Sequence, residues 1–304
     1  MKKSELREGM AMGWKDLFVL VRETAVGWSK RQTFQLGAAL AYYGVFALAP
    51  TLVIAIAIAG ILFGEDAAQG RLSDTLKDAL GPAVAQAFAD VLTYVHVSGS
   101  GWRATVVGIG LVLFASTGLF TQLQLALNAI WGVQPAPGRS FWNIIRVRFF
   151  AFVLVLGTGA LLVLSLIANT ALLALNSYWG STNWSGEYYM WEGMDWLLTL
   201  ILQTLLFALI YKLLPDVIIT WRDVAIGAFL TALLFAFGNF LICQYLYRAA
   251  PASVYGPAGS LVVVMLWVFY SSQILLFGAE LTKNFANKYG KPMQPAKYAM
   301  GRPG

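Results

Sequence analysis

Few side chains in this chain could do chemistry in apolar surroundings, and most fall in one stretch: Ser116, Thr117, Gln122, Gln124 and Asn128, just before Trp131. Gln124 and Asn128 are four residues apart and share a helix face, and Thr117 lies two turns before Gln124 on nearly that face. Amides and hydroxyls so placed have two uses. They can line a path for a polar or anionic substrate, or they can hydrogen-bond to a neighbouring helix, at about 0.6–2 kcal/mol each in a membrane. Leaving them unsatisfied in hydrocarbon is costly, so one use or the other is required. Tyr42, Tyr43 and Gln273 sit well inside other apolar stretches and face the same choice. Glu280 closes the last apolar stretch, with Lys283 following. An acid near a bilayer boundary suits pairing with a cation, and Arg146, Arg148 and Arg222 are the expected partners; proton coupling is its other role.

Chemistry of the catalytic kind is not expected. The sequence holds no HExxH, no GxSxG, no Walker loop and no cluster of histidines and acids, so no metal, nucleotide or other cofactor is predicted. His96 is the only histidine, and one imidazole cannot build a metal centre alone. Cys243 is the only cysteine, which excludes an intrachain disulfide and a CxxC site. The net charge of +6 would point to nucleic acid only if the cations formed one patch. They are scattered among short loops, so no nucleic-acid partner is expected.

The elements that carry these residues are membrane spans. Of 304 residues, 59% are hydrophobic and 12% charged, against roughly 25% charged in a soluble domain. A bilayer core of about 30 Å needs roughly 20 apolar residues per helix. Six segments meet that need: about 34–63, 103–130, 149–175, 195–214, 224–247 and 258–281. The predicted fold class is all-α, a polytopic membrane protein with six transmembrane helices in residues 33–285. Pro50 is expected to break the first span, which is too long for a straight perpendicular crossing. In the fifth, Ala228, Ala232 and Ala236 recur every four residues beside Gly227 and Gly238, a pattern that lets helices approach closely.

The loops sort by charge. All of the 21 Lys and Arg except Arg71, Lys77, Arg103 and Arg248 fall in the N-terminal segment, the 131–148 loop, the 215–223 turn with Lys212, and the C-terminal segment. The positive-inside rule places that side in the cytoplasm, so both termini are predicted to be cytoplasmic. Residues 1–32 read as a cytoplasmic amphipathic helix, with Leu6, Met10, Trp14, Leu17, Val21, Ala25 and Trp28 as its apolar stripe. It would lie on the anionic leaflet or pack on the protein's own loops. No early apolar core of a cleavable signal is present in it. Residues 64–101 are too polar to span and read as two short external amphipathic helices. Residues 176–196 are rich in Trp and Tyr, as an interfacial belt is. The Pro- and Gly-bearing tail, 286–304, is expected to be disordered from Gly290.

Several strings resemble the YihY/BrkB family of bacterial inner-membrane proteins. They are Gly37-Ala-Ala-Leu-Ala-Tyr-Tyr-Gly-Val-Phe-Ala-Leu-Ala-Pro50, Leu62-Phe-Gly64, Phe114 to Gly118, Gln122 to Asn128 and Trp131-Gly-Val133. Trp221-Arg-Asp223 with Gly227-Ala228, Tyr255-Gly-Pro-Ala-Gly-Ser260, Trp267 to Gln273 and Gly278 to Thr282 complete the set. The resemblance covers about residues 30–285, departing from it at Ala47 and Pro257. It implies a six-helix fold and brings an inherited name, ribonuclease BN. Metal-dependent RNA cleavage needs several convergent acids or histidines, and the cytoplasmic loops offer only Asp216 and Asp223 beside the terminal acids; the enzyme reading is the remote one.

The function expected is transporter-like, moving a lipid or other amphipathic or anionic substrate. Its candidate path is lined by Tyr42, Tyr43, Pro50, Ser116, Gln122, Gln124, Asn128, Tyr255, Gly256, Gly259, Gln273 and Glu280. Arg146, Arg148 and Arg222 form a basic cytoplasmic mouth where head groups collect. Membrane lipids are the expected partners. The alternative is a scaffold for envelope integrity, gripping envelope proteins through residues 64–101.

Overall fold

The computed structural model describes residues 14–47, 86, 118–136, 164, 167, 170, 187–249, 259–290, 293–296 and 299–301. They are mostly helical. In chain order these are α1 (Trp14–Lys30), α2 (33–47), α3 (118–131), β1 (Val133–Pro135), α4 (Glu187–Leu213), β2 (Val217–Ile218), α5 (Trp221–Ala249), α6 (Gly259–Tyr289), β3 (Gln294–Pro295) and β4 (Ala299–Gly301). Among the described residues three helices are long and apolar enough to cross a bilayer: Trp196–Leu213, Trp221–Tyr245 and Leu261–Tyr289. They coincide with the last three expected spans. The other three fall largely outside the described residues, which include only their ends at 34–47 and 118–130, and residues 164, 167 and 170. The expected external helices lie outside as well, apart from helical Gln86.

Each boundary has a local cause. The turn after α4 contains Pro215, whose ring disfavours helical backbone at the residue before it. Thr220 then caps α5: its hydroxyl donates to Asp223 Oδ2 (2.6 Å) and accepts from the Asp223 amide (3.4 Å). An acid in that first turn also suits the positive end of the helix dipole. Gly132, at φ 71°, ends α3 in the left-handed conformation that favours glycine. Gln32, at φ 54°, makes the corner between α1 and α2, and Thr33 donates from its hydroxyl to the Trp28 carbonyl at the close of α1 (2.5 Å).

Packing of α5 on α6 follows the small-residue pattern. A β-carbon at Gly227 would collide with Thr282, and one at Gly278 with Thr231. Each threonine hydroxyl is satisfied within its own helix, Thr231 by the Gly227 carbonyl and Thr282 by the Gly278 carbonyl, both at 2.7 Å. The two helices thus exchange a glycine and a threonine, and Ala228 and Ala232 are fully buried beside them. Tyr211 ties in α4, donating its hydroxyl to the Leu275 carbonyl (2.8 Å). The α1–α2 pair packs on α6 through three more glycines: Gly27 against Glu280, Gly37 against Gln273 and Gly44 against Val268.

Two sequence expectations change. α1 buries Leu20 and Thr24, whereas Val21 and Ala25 are exposed, so its docked face is rotated from the expected stripe. Thr24 tolerates that face because its hydroxyl donates to the Leu20 carbonyl and accepts from Asn284 Nδ2. The tail is the second. Residues expected to be disordered from Gly290 form β3 and β4, with β4 antiparallel to β1 and β3 antiparallel to β2. Those pairings are with loops far away in sequence and leave no local periodicity to read.

Candidate functional site

The polar residues gather at one end of the bundle, the basal end, where the carboxyl end of α3, the α1–α2 corner, the α4–α5 turn and the tail meet. Gln124 and Asn128 lie on the buried face of α3, as their spacing predicted, and both are spent on one acceptor. Asp216 takes the Gln124 amide on Oδ1 (3.0 Å) and the Asn128 amide on Oδ2 (2.9 Å). The Asp216 backbone N–H donates in return to Asn128 Oδ1 (2.8 Å), and its carbonyl accepts from the Ala296 amide of the tail (3.0 Å). Asp216 is 2% exposed. A carboxylate buried that deeply requires several charge-assisted hydrogen bonds, and α3 supplies two.

One turn further, the last carbonyls of α3 receive cations. Arg31 donates to the Ala129 carbonyl (2.8 Å) and Lys283 to the Ile130 carbonyl (2.9 Å). A helix leaves its final carbonyls unpaired at the negative end of its dipole, so two cations there are favourable on both counts. Glu280 balances them, with Arg31 Nε at 3.2 Å from Oε2 and Lys283 Nζ at 3.7 Å from Oε1. Its pairing with a cation was expected; the described partners are Arg31 and Lys283, while Arg222 is exposed at the start of α5. Sequence reasoning chose Arg222 for its nearness to the boundary and passed over Arg31, which the Gln32 corner swings toward α6. Arg146 and Arg148 lie outside the described residues.

A second group follows the seam between α2 and α6. Gln273 is buried and donates Nε2 to the Thr33 carbonyl (3.3 Å). Its Oε1 has no hydrogen-bond partner among the described residues, and neither does the buried Trp28 Nε1. Trp28 stands edge-on to Phe34 at 4.6 Å and to Phe277 at 6.3 Å, one turn from Gln273. Toward the other end of α2, Tyr42, Tyr43 and Phe46 are exposed and stack edge to face. Tyr43 also abuts Gly118 at the start of the described part of α3.

The structure therefore brings Gln124 and Asn128 together on Asp216 and sets Gln273 and Glu280 on the face of α6 that meets Gly37 and Gly27, but Tyr42 and Tyr43 are exposed on another side of α2, with Tyr43 against α3. Gln122 is half-buried on another side of α3, and Gly259 is buried as the first residue of α6. Pro50, Ser116, Tyr255 and Gly256 lie outside the described residues. Asp216, Arg31 and Trp28 are the site residues that sequence reasoning did not select. Asp216 had one signal available: an acid beside a proline in a short turn between apolar runs. Among the described residues no group of three or more His, Cys, Asp or Glu could hold a metal ion.

Apolar spanning helices joined by small-residue contacts, with their polar groups collected at one end, define a polytopic helical membrane protein. The family described as virulence factor BrkB matches residues 24–300, and the chain belongs to it. Relatives include a UPF0761 membrane protein of Halorhodospira halophila, 27% identical over 80% of this chain and 52% of its own length. The UPF0761 membrane protein YihY of Escherichia coli is 28% identical over 66% of this chain and 65% of its own. A UPF0761 membrane protein of Psychromonas ingrahamii is 25% identical over 80% and 79%. The chain spans 52–61% of the length of several of these relatives. Their names describe membrane proteins and name no enzyme. No solved structure matches the chain.

Proposed function

We propose that this chain is a transporter-like protein of the bacterial inner membrane, with six spans and both termini cytoplasmic, that moves a lipid or another amphipathic, anionic substrate. The observation that carries this reading is the unspent hydrogen-bonding capacity in the α2–α6 seam. Burying a polar atom without a partner costs about 1–3 kcal/mol, and Gln273 Oε1 and Trp28 Nε1 are both buried without one among the described residues. A substrate head group passing along the seam would use them, while the exposed rings of Tyr42, Tyr43 and Phe46, on another side of α2, offer an apolar surface to acyl chains. The basal ion pairs and amides close the cytoplasmic side around α3, and Arg146, Arg148 and Arg222 supply the basic mouth. Ionisable groups within a membrane domain are costly and mark functional pathways, and Glu280 fits that description. The test is reconstitution in liposomes with leaflet-specific lipid reporters. Wild type accelerates exchange over empty vesicles, and Gln273→Leu, which keeps the volume but removes the amide, slows it at least tenfold without loss of folded protein. No acceleration by wild type under any imposed gradient removes this reading.

A scaffold role has its own support. Gln124 and Asn128 each donate to Asp216 inside the protein, which is what a rigid platform needs. On that reading, deletions within 64–101 abolish capture of envelope proteins, whereas charge changes at Arg146 or Arg148 are tolerated.

A further inference from the structure

The tail crosses both loops that flank the Asp216 cluster and ties them together. β4 pairs Gly301, Met300 and Ala299 with Val133, Gln134 and Pro135, directly after α3. β3 pairs Pro295 and Gln294 with Val217 and Ile218, directly after Asp216. Between the two strands the Ala299 amide donates to the Ala296 carbonyl (2.8 Å), and the Ala296 amide donates to the Asp216 carbonyl. We propose that the two short strands β3 and β4, with Met293 and Ala296 beside them, act as a detachable strap that locks the carboxyl end of α3 to the α4–α5 turn, and that its release frees α3 to move. The proposal rests on the transport reading above only for the use made of that movement.

Three features separate a strap from ordinary structural support. First, it is thin: Gln294, Pro295, Met300 and Gly301 are exposed, and among described residues 293–301 only Ala296 is buried, with Met293 half-buried against the core. Second, its two ribbons are two and three residues long, and isolated two-stranded ribbons of that size are marginal in water. Segments with few buried contacts and solvent-exposed ladder bonds open first. Third, it touches the moving boundary and spares the rigid one. Its partners are the loop after α3 and the turn after α4, whereas α5 and α6 hold each other through buried glycine and threonine contacts that the strap does not touch. Gly290, where it leaves α6, lies against Asp223 at the α5 cap, so the strap is anchored where it begins.

Hydrogen exchange read by mass spectrometry tests this on the full chain in lipid nanodiscs, against two variants. Truncation after Gly290 removes the strap. In a Cys243→Ser background, Gln134→Cys with Met300→Cys places cysteines at directly opposed positions of β1 and β4, within reach of a disulfide after small adjustment. Truncation is expected to raise exchange in 118–135 and 214–220 at least tenfold while α5 and α6 keep wild-type protection. The oxidised lock is expected to lower exchange in the same segments at least tenfold, reversibly on reduction, and to stop any lipid movement the reduced form supports. Unchanged exchange after truncation, or a rise spread equally through α5 and α6, overturns the strap. So does a lock that leaves exchange unaltered. If wild type moves no lipid, the transport reading falls while the exchange comparison still decides the strap. If the truncated chain fails to fold, the lock alone decides it.

Discussion

Removing the Asp216 carboxylate tests whether the α3 base is held by charge or by ordinary membrane hydrogen bonds. Asp216→Ala leaves two amide donors, Gln124 Nε2 and Asn128 Nδ2, buried with their acceptor gone; their residues are 5% and 3% exposed. At about 1–3 kcal/mol for each stranded donor, the cost is about 2–6 kcal/mol. The cycle with Asn128→Ala isolates one bond. A hydrogen bond to a charged group is worth about 1.5–3 kcal/mol, whereas interhelical bonds in membranes average about 0.6 kcal/mol. Unfolding of the purified protein in a mixed-micelle detergent titration, followed by tryptophan fluorescence, measures all four corners. We expect a coupling energy of about 2 kcal/mol between Asp216 and Asn128. A value at or below about 0.6 kcal/mol would refute the reasoning, since Asp216 would then be no better an acceptor than a neutral group facing lipid.

Further substitutions probe the other contacts. Glu280→Ala leaves Arg31 and Lys283 facing each other, and we expect a loss of about 3 kcal/mol, the low end for a broken buried pair, because the Arg31 side chain is 32% exposed. Adding Lys283→Met should restore part of that loss in the same titration; no recovery would mean that Lys283 serves only the Ile130 carbonyl. Gly227→Val and Gly132→Ala separate two roles of glycine. The first drives a side chain into Thr282 and should cost about 1–3 kcal/mol by overpacking. The second meets open space but holds alanine at φ 71°, and should cost about 1–2 kcal/mol from the backbone alone. Equal recovery of both by Thr282→Ala would contradict this division, since only the first should respond.

How much of this was legible depends on how local each signal is. The face shared by Gln124 and Asn128 follows from four-residue spacing, and a close helix contact on α5 from the recurrence of glycine and alanine. Their partners were not legible. Asp216 lies 92 and 88 residues from Gln124 and Asn128, and nothing in a single sequence joins them. The pairing of Arg31 with Glu280 was hidden for the same reason: Arg31 reaches it only because Gln32 turns the chain. On α1 the expected stripe counted apolar residues, and it missed that a threonine with both bonding capacities used can take the buried face. The tail escaped because strands of two and three residues, two of them proline-bearing, carry no alternation to detect.

The exchanged glycines and threonines of α5 and α6 also fix how this molecule can deform. Sliding one helix past the other by a single turn, about 5.4 Å, would carry each threonine methyl out of the notch left by a missing side chain and onto a neighbour that has one. The two helices must therefore travel as one piece, like a key with its lock. Among the described residues, α1 and α2 are keyed to the same block through Gly27, Gly37 and Gly44, so a rearrangement that keeps its teeth engaged falls to α3.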